Sequence, residues 1–367
     1  GAGRGGGGPR RGRRAAGGGG PPPGGGGGGG GGGGPPKTTL AAATGLVSAQ
    51  EGARTLVMTF DPSLRLKDAL GVGEEAKDHP VPVPEVDGNL DVALLDARVT
   101  FDRLIRRYAP DAKAADRIFN NRFYRDLAGN LAGILEYMAV ERLFEVQAEG
   151  KYDRVILDTP PTRQALDFLE APDRIVGFLD SGAVKIALAP WWEQGGGIAR
   201  LPFRLAAKGA EGIADRLVGV RLLHDVVEFF RAFAPLYGGF RARAGEVRKL
   251  LRAKGTLFVL VSGPGEDRIP DAMFFARKLR ESGHRLGPIV VNQVHPAATD
   301  ASELPPEFAE GMALFRFLGE RDARGLDRMR GLLSPKEPMV SLPLQAAPPA
   351  DLDGLESLGR LLTDQLA

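Results

Sequence analysis

From Lys37 onward the chain alternates short apolar runs with stretches of helical period, and that order predicts a parallel α/β sheet. A helix over 38–50 leads into the run RTLVMTF (54–60), which stops at Asp61-Pro62. A second run, YDRVILD (152–158), also ends in an aspartate and is followed by Thr-Pro-Pro-Thr. TLFVLVS (256–262), PIVVN (288–292) and a shorter PMVSL (338–342) complete the expected strands. Runs this continuous suit strands covered on both faces. Helical stretches fall at 267–282 and 308–332, and a last one near 351–366 opens on Asp351, a suitable cap.

Two longer helical regions interrupt the alternation. In 96–149, Leu127, Leu131, Ile134, Leu135, Met138 and Leu143 recur mostly three or four residues apart. In 172–253 the pattern is broken by APWWEQGGG (189–197) and continues through Leu217, Val220, Leu222, Leu223, Val226, Val227, Phe229 and Phe230. The pattern predicts one α/β core, residues 37–367, with helical insertions at about 96–149 and 172–253.

Residues 1–36 stand apart, being almost entirely Gly, Pro, Arg and Ala. Such a segment has too little apolar surface to offset its ordering entropy, so it is expected to be disordered, or else a fault in the sequence. It holds five arginines and no acid, so of the net charge of +2 the remainder carries −3. An Arg-Gly tail for nucleic acid is one alternative, but no aromatic residue is interleaved to stack on bases, and no nucleic-acid partner is expected. The chain contains no cysteine, which excludes disulfides, thiolate metal sites and cysteine catalysis. No apolar run is long enough to span a bilayer, and no secretory signal is apparent, so a cytoplasmic location is expected. His79, His284 and His295 are scattered and His224 lies in an apolar helical stretch; none is paired at metal-ligand spacing, and they read as ordinary residues.

Candidate chemistry gathers at strand ends. GGGGPPKTTLAAATGLVSAQ (31–50) has the ending of a phosphate-binding loop, Lys37-Thr38 at the start of a helix, but Pro36 stands where the last loop glycine belongs. Asp61 and Asp158 each follow a strand, and ligands of open parallel sheets sit at the carboxyl ends of strands. A lysine, a hydroxyl and two aspartates are the parts phosphoryl chemistry needs.

In that order the motifs resemble those of the ArsA-type anion-transporting ATPases, relatives of the ATPases that target tail-anchored proteins. The resemblance runs from about Lys37 to the C-terminus. It rests on GGGGPPKTT (31–39), DPSLRL (61–66), DTPPTRQALDFLEAP (158–172), VVNQVHP (290–296) and EYMAVERLFEV (136–146). It implies a three-layer P-loop NTPase fold with a mostly parallel sheet and an inserted helical subdomain. It also implies ATP and Mg²⁺ as ligands. Gly33, Gly34, Lys37, Thr38 and Thr39 would then hold the phosphates, with Lys37 on the β- and γ-phosphates. Thr38 would ligate Mg²⁺ and Asp158 would hold it through water. Asp61 would orient the attacking water, and Asn292 would contact the adenine. One set of motifs implies a homodimer closing over the nucleotide.

The loop departs from the family pattern at three places. Gly32 occupies the position of the signature lysine, and Pro35 and Pro36 replace valine and glycine. Proline lacks an N–H. If both missing donors faced phosphate, the loss would be about 10²–10⁴-fold in affinity, at about 1.5–3 kcal/mol for each charged hydrogen bond. A faulty N-terminal sequence or a non-hydrolysing scaffold would each account for this. Without cysteine, an arsenite site of three thiolates is excluded. The runner-up client is a hydrophobic helix or protein held in a groove lined by Trp191, Trp192, Phe229, Phe230 and Phe233, but packing of the inserted helices against one another is the favoured reading of these rings.

Overall fold

The computed structural model describes residues 36–59, 70–77, 79–86, 89–122, 124, 134–159, 162–182, 228–229, 232–296, 309–335 and 337–366. All lie within Gly33–Ala367, the larger of the two units into which the chain divides. The calls on Asp61, Gly33, Gly34, Trp191, Trp192 and Phe230 fall outside the described residues.

Strand β1 (Thr55–Thr59) is the centre of one sheet. Its five residues are all buried, and it pairs in parallel with β3 (Leu90–Leu94) on one side and β4 (Arg154–Asp158) on the other. The register sets Thr59 beside both Leu94 and Asp158, so three strands end level. A two-residue strand β2 (Val81–Pro82) runs antiparallel along the outer edge of β3, a position where proline is tolerated. A second sheet is parallel throughout, in the order β5 (Phe258–Ser262), β6 (Leu286–Val294), β7 (Met339–Pro343).

Both sheets are clad by the same two apolar cores. On one side lie α2 (Ala97–Tyr108), α4 (Ile134–Glu149), α5 (Thr162–Leu179), α6 (Tyr237–Leu251) and α7 (Ile269–Glu281), whose buried residues join Leu157 of β4 and Leu260 of β5. On the other lie α1 (Pro36–Gln50) and α9 (Leu352–Asp364), joining Ile156 of β4 and Val261 of β5. Adjacent strand residues point to opposite faces, so this division places both sheets in the middle of three layers. The remaining helices are α3 (Ala112–Phe119), beside α2, and α8 (Ala309–Leu332), which approaches α7 and β6.

Caps follow the sequence closely. Asp96 accepts from the backbone of Arg98 and Val99 at the start of α2. Asp351 accepts from Gly354 at the start of α9, as its position suggested. The helix that matters most for chemistry, α1, is held by close approach rather than by charge. A methyl group on Gly359 of α9 would lie 2.5 Å from Val47 Cγ2 and 2.6 Å from the Ala43 carbonyl oxygen. Only glycine lets α9 rest directly on the backbone of α1.

Two expectations need correction. The sequence pattern missed β3, whose central residues include the buried Asp91. A charge there breaks the apolar run, but Asp91 is satisfied by Lys151 Nζ at 2.8 Å and by the Tyr152 hydroxyl at 2.5 Å. The second concerns coverage of the strands. β1 and β6 are buried, yet β4 is only partly so, and on the β5 side Leu257 and Val259 are 52% and 47% exposed. Among the described residues β4 and β5 each have a strand on one side only.

The aromatic residues named as a client surface behave as core where they are described. Phe229 and Phe233 are buried and stacked, centroids 5.6 Å apart, and Phe233 meets Phe240 edge-on at 5.1 Å. They pack the helices to one another. Among the described residues no helix is long and apolar enough to cross a membrane.

Candidate active site

Helix α1 begins at Pro36, a position that proline favours because its fixed φ suits the first turn and no intrahelical donor is lost. The N–H groups of that first turn have no partner within the helix, and the dipole favours negative charge there. Lys37, Thr38 and Thr39 follow at once.

These residues meet the end of β4. Thr38 is buried, and its hydroxyl donates to Asp158 Oδ2 at 2.5 Å. The Thr59 hydroxyl, at the level end of β1, donates to the same oxygen at 3.0 Å. Asp158 itself is 4% exposed, so a buried carboxylate is supported by two hydroxyl donors. Lys37 Nζ donates to the Thr159 carbonyl at 2.6 Å, placing its ammonium over the peptide that follows Asp158. Three residues called from sequence, Lys37, Thr38 and Asp158, are therefore brought together across 120 residues or more of chain. Thr39 is adjacent on α1 and half-buried.

The chemistry of the donors fits magnesium of one kind only. Thr38 and Asp158 offer hard oxygen ligands side by side, as Mg²⁺ prefers. Among the described residues no group of three or more His, Asp or Glu could cage a metal. Two protein oxygens suit an ion that keeps its waters and arrives with a phosphate ligand.

Asn292 belongs to the other sheet, at the carboxyl end of β6. The pairing of β6 with β7 shifts register between Val291 and Val294, and Gln293 within that bulge has φ 64°. A left-handed backbone is uncommon for a residue with a side chain. It is held here because Asn292 Oδ1 accepts the Gln293 N–H at 2.8 Å. Bulges concentrate where a strand re-aims side chains next to a site.

A contact that the sequence did not announce stands just beyond it. His295 reaches across to Asp322 of α8, which is fully buried. Asp322 Oδ2 accepts the His295 backbone N–H at 3.0 Å and its ring Nδ1 at 2.7 Å, while Oδ1 accepts Arg321 Nη2 at 2.7 Å and Nε at 3.0 Å. Burial alone would push the Asp322 carboxyl up. The donors from His295 and Arg321 outweigh it and hold the group below its ordinary range. Twenty-seven residues separate His295 from Asp322, so no local motif could reveal the pair.

A family model described as anion-transporting ATPase matches residues 27–193. Over that stretch, somewhat under half of the chain, the sequence is similar to the anion-transporting ATPases. The matched span holds Lys37, Thr38, Asp61 and Asp158, while Asn292 lies beyond it. Among curated relatives, the Aquifex aeolicus protein named "Putative arsenical pump-driving ATPase 1" is 29% identical over 36% of this chain and 34% of its own length. The Halobacterium salinarum "Putative arsenical pump-driving ATPase" is 30% identical over 41% of this chain and 24% of its own. An uncharacterized protein of Streptomyces coelicolor is 28% identical over 71% of this chain and 60% of its own length. The chain thus spans about a third or less of the two named ATPases. The mixed, mainly parallel α/β architecture described above is consistent with the P-loop NTPase fold of the anion-transporting ATPases.

Proposed function

We propose that the protein binds ATP with Mg²⁺ at the head of α1 and hydrolyses it, using the energy state of the nucleotide as a conformational switch. The observation that carries this reading is the convergence of Lys37, Thr38 and Asp158 at one helix N-terminus.

Each residue then has a physical task. The Lys37 ammonium neutralises the β- and γ-phosphates, and the free N–H groups of the first turn of α1 cradle them. Thr38 and Asp158 would hold a magnesium ion, which when bound would supply charge neutralisation on the phosphate oxygens. Asp61, following β1, orients the water. The oxygen of that water bonds to the terminal phosphorus as the bond to the bridging oxygen breaks. ADP and inorganic phosphate leave, and the water's proton passes to solvent.

The route from nucleotide to helices runs through Thr159. Lys37 donates to the Thr159 carbonyl, and α5 begins three residues later at Thr162. A γ-phosphate competes with that carbonyl for the same ammonium. Binding and hydrolysis therefore change the tether on the loop before α5, which packs on α4 and α6. On this reading the active species is a homodimer, and its client is a hydrophobic helix or protein contacting the helical regions.

A second reading, a scaffold that keeps the fold without hydrolysis, is favoured by Pro36 at the first helical position and by Gly32 in place of the signature lysine. Phosphate release from Mg-ATP separates the two. Hydrolysis by the wild type that vanishes in Asp61→Asn supports the enzyme. Binding of ATP with no release above the Asp61→Asn background supports the scaffold.

A further inference from the structure

We propose that Thr59 is a positioning residue for the metal site: its hydroxyl holds the Asp158 carboxylate in the orientation that a magnesium ion needs. This rests on the nucleotide reading above and adds to it a residue that neither the loop pattern nor the strand-end aspartates single out.

Thr59 reaches Asp158 because one face of β1 is turned to α1 along its length. Thr55, Val57 and Thr59 alternate onto that face, where Val57 joins the apolar core shared with Leu40, Ala43 and Leu46 of α1. The Thr55 hydroxyl lies 2.8 Å from the Ser48 hydroxyl of α1. Val57 rests on Gly45 of the same helix, so closely that a methyl group on that glycine would overlap the valine. Thr59 ends the row, and the register of β1 with β4 sets Asp158 beside it. Its hydroxyl donates to Asp158 Oδ2 at 3.0 Å, the oxygen that also accepts from Thr38.

The two donors to Asp158 are not equivalent. Thr38 lies in the first turn of a helix, and its hydroxyl oxygen is itself a candidate metal ligand. Thr59 ends a buried strand, is 1% exposed, and its carbonyl accepts the Leu95 N–H at 2.9 Å. Branching at Cβ leaves its side chain few rotamers. Thr59 therefore delivers its donor from a fixed frame, whereas Thr38 would share its oxygen with the ion. Hydrogen bonds that orient a ligating carboxylate tune its metal, and losing one typically costs about 10- to 100-fold in metal affinity. Thr59 acts only through Asp158 and is not itself a ligand.

Calorimetric titration of ATP into the full chain, once with Mg²⁺ and once with excess EDTA, tests the role without turnover. The ratio of the two dissociation constants is the gain that magnesium gives. The panel is wild type, Thr59→Val, Thr59→Ala and Thr59→Ser, with thermal melting to verify folding. Valine keeps the shape and loses the donor, whereas serine keeps the donor and loses a buried methyl group. The magnesium gain should fall about tenfold in Thr59→Val and Thr59→Ala, with ATP binding in EDTA near its wild-type value. Thr59→Ser should keep the wild-type gain. A merely structural role would show in the serine variant too and would weaken ATP binding with and without magnesium alike. An undiminished gain in folded Thr59→Val or Thr59→Ala overturns the proposal. So does an equal loss under both conditions, a Thr59→Ser as impaired as Thr59→Val, or loss of folding in all three variants. A wild type that binds ATP but gains nothing from magnesium overturns the metal site and this role with it. A wild type that does not bind ATP overturns the nucleotide reading itself.

Discussion

The cluster at the head of α1 and the cluster at the end of β6 are built on opposite plans. At the head of α1, Lys37, Thr38, Thr59 and Asp158 answer one another, with hydroxyls donating to a carboxylate and an ammonium donating to a carbonyl. At the end of β6, Asp322 gathers the His295 backbone N–H, the His295 ring and Arg321 around one buried carboxylate, while Asn292 is turned to the Gln293 N–H. The first cluster joins one helix start and two strand ends about a hundred residues apart and depends on level registration of β1 and β4. The second depends on a strand bulge and on a buried charge in a distant helix. The first presents charge at a helix terminus, as phosphate binding needs; the second fixes the orientation of one ring.

The comparison makes an ordered set of demands on stability. Asp158→Ala strips the acceptor from two buried hydroxyls and should cost about 3 kcal/mol, read by denaturant unfolding. Asp322→Ala should cost less, about 2 kcal/mol, because one of its partners, Arg321, is exposed enough to turn to water. If Asp322→Ala proved the more damaging, the β6 cluster would be the structural keystone of the two. Gly359→Ala should cost about 1–2 kcal/mol through overpacking against Val47 and the Ala43 carbonyl. It should also weaken ligand binding at the head of α1, which α9 supports directly.

The smallest effect concerns pH on the β5–β6 side. His284 is buried against Phe258, and among the described residues its Nδ1 finds no partner. Burial chiefly, and then the charge of Arg252, lower its pKa from 6.5, partly opposed by Asp173. A depressed folded-state value means the unfolded chain takes up the proton first. The stabilisation from His284 is thus present above 6.5 and is lost as pH falls below it. His284→Phe should flatten that acid-side slope in thermal melts between about pH 6.5 and 5. A slope identical to wild type would show that another group carries it.

Much of the fold was legible because the interior strands are continuous apolar runs and the parallel alternation is strongly punctuated. The strand ends at Asp158 and the helix opening at Lys37 were legible for the same reason. β3 was hidden by Asp91, whose burial depends on Lys151 and Tyr152, residues about 60 positions away. His295 was likewise read as ordinary, since nothing near it in sequence shows the carboxylate that fixes its ring. Phe229 and Phe233 look like binding residues in a string of aromatics and are core once Phe240 is brought beside them. Sequence pattern reports what neighbours dictate. Side chains whose role is set by a distant partner need the fold.

The central claim is that α1 carries a phosphate site. Its most direct test is calorimetric titration of Mg-ATP into the full chain and into Lys37→Ala. The account predicts saturable binding by the wild type and a loss of about 10- to 150-fold in the variant, the equivalent of one charge-assisted contact. Equal affinity in the two proteins, or no binding by the wild type, would contradict it.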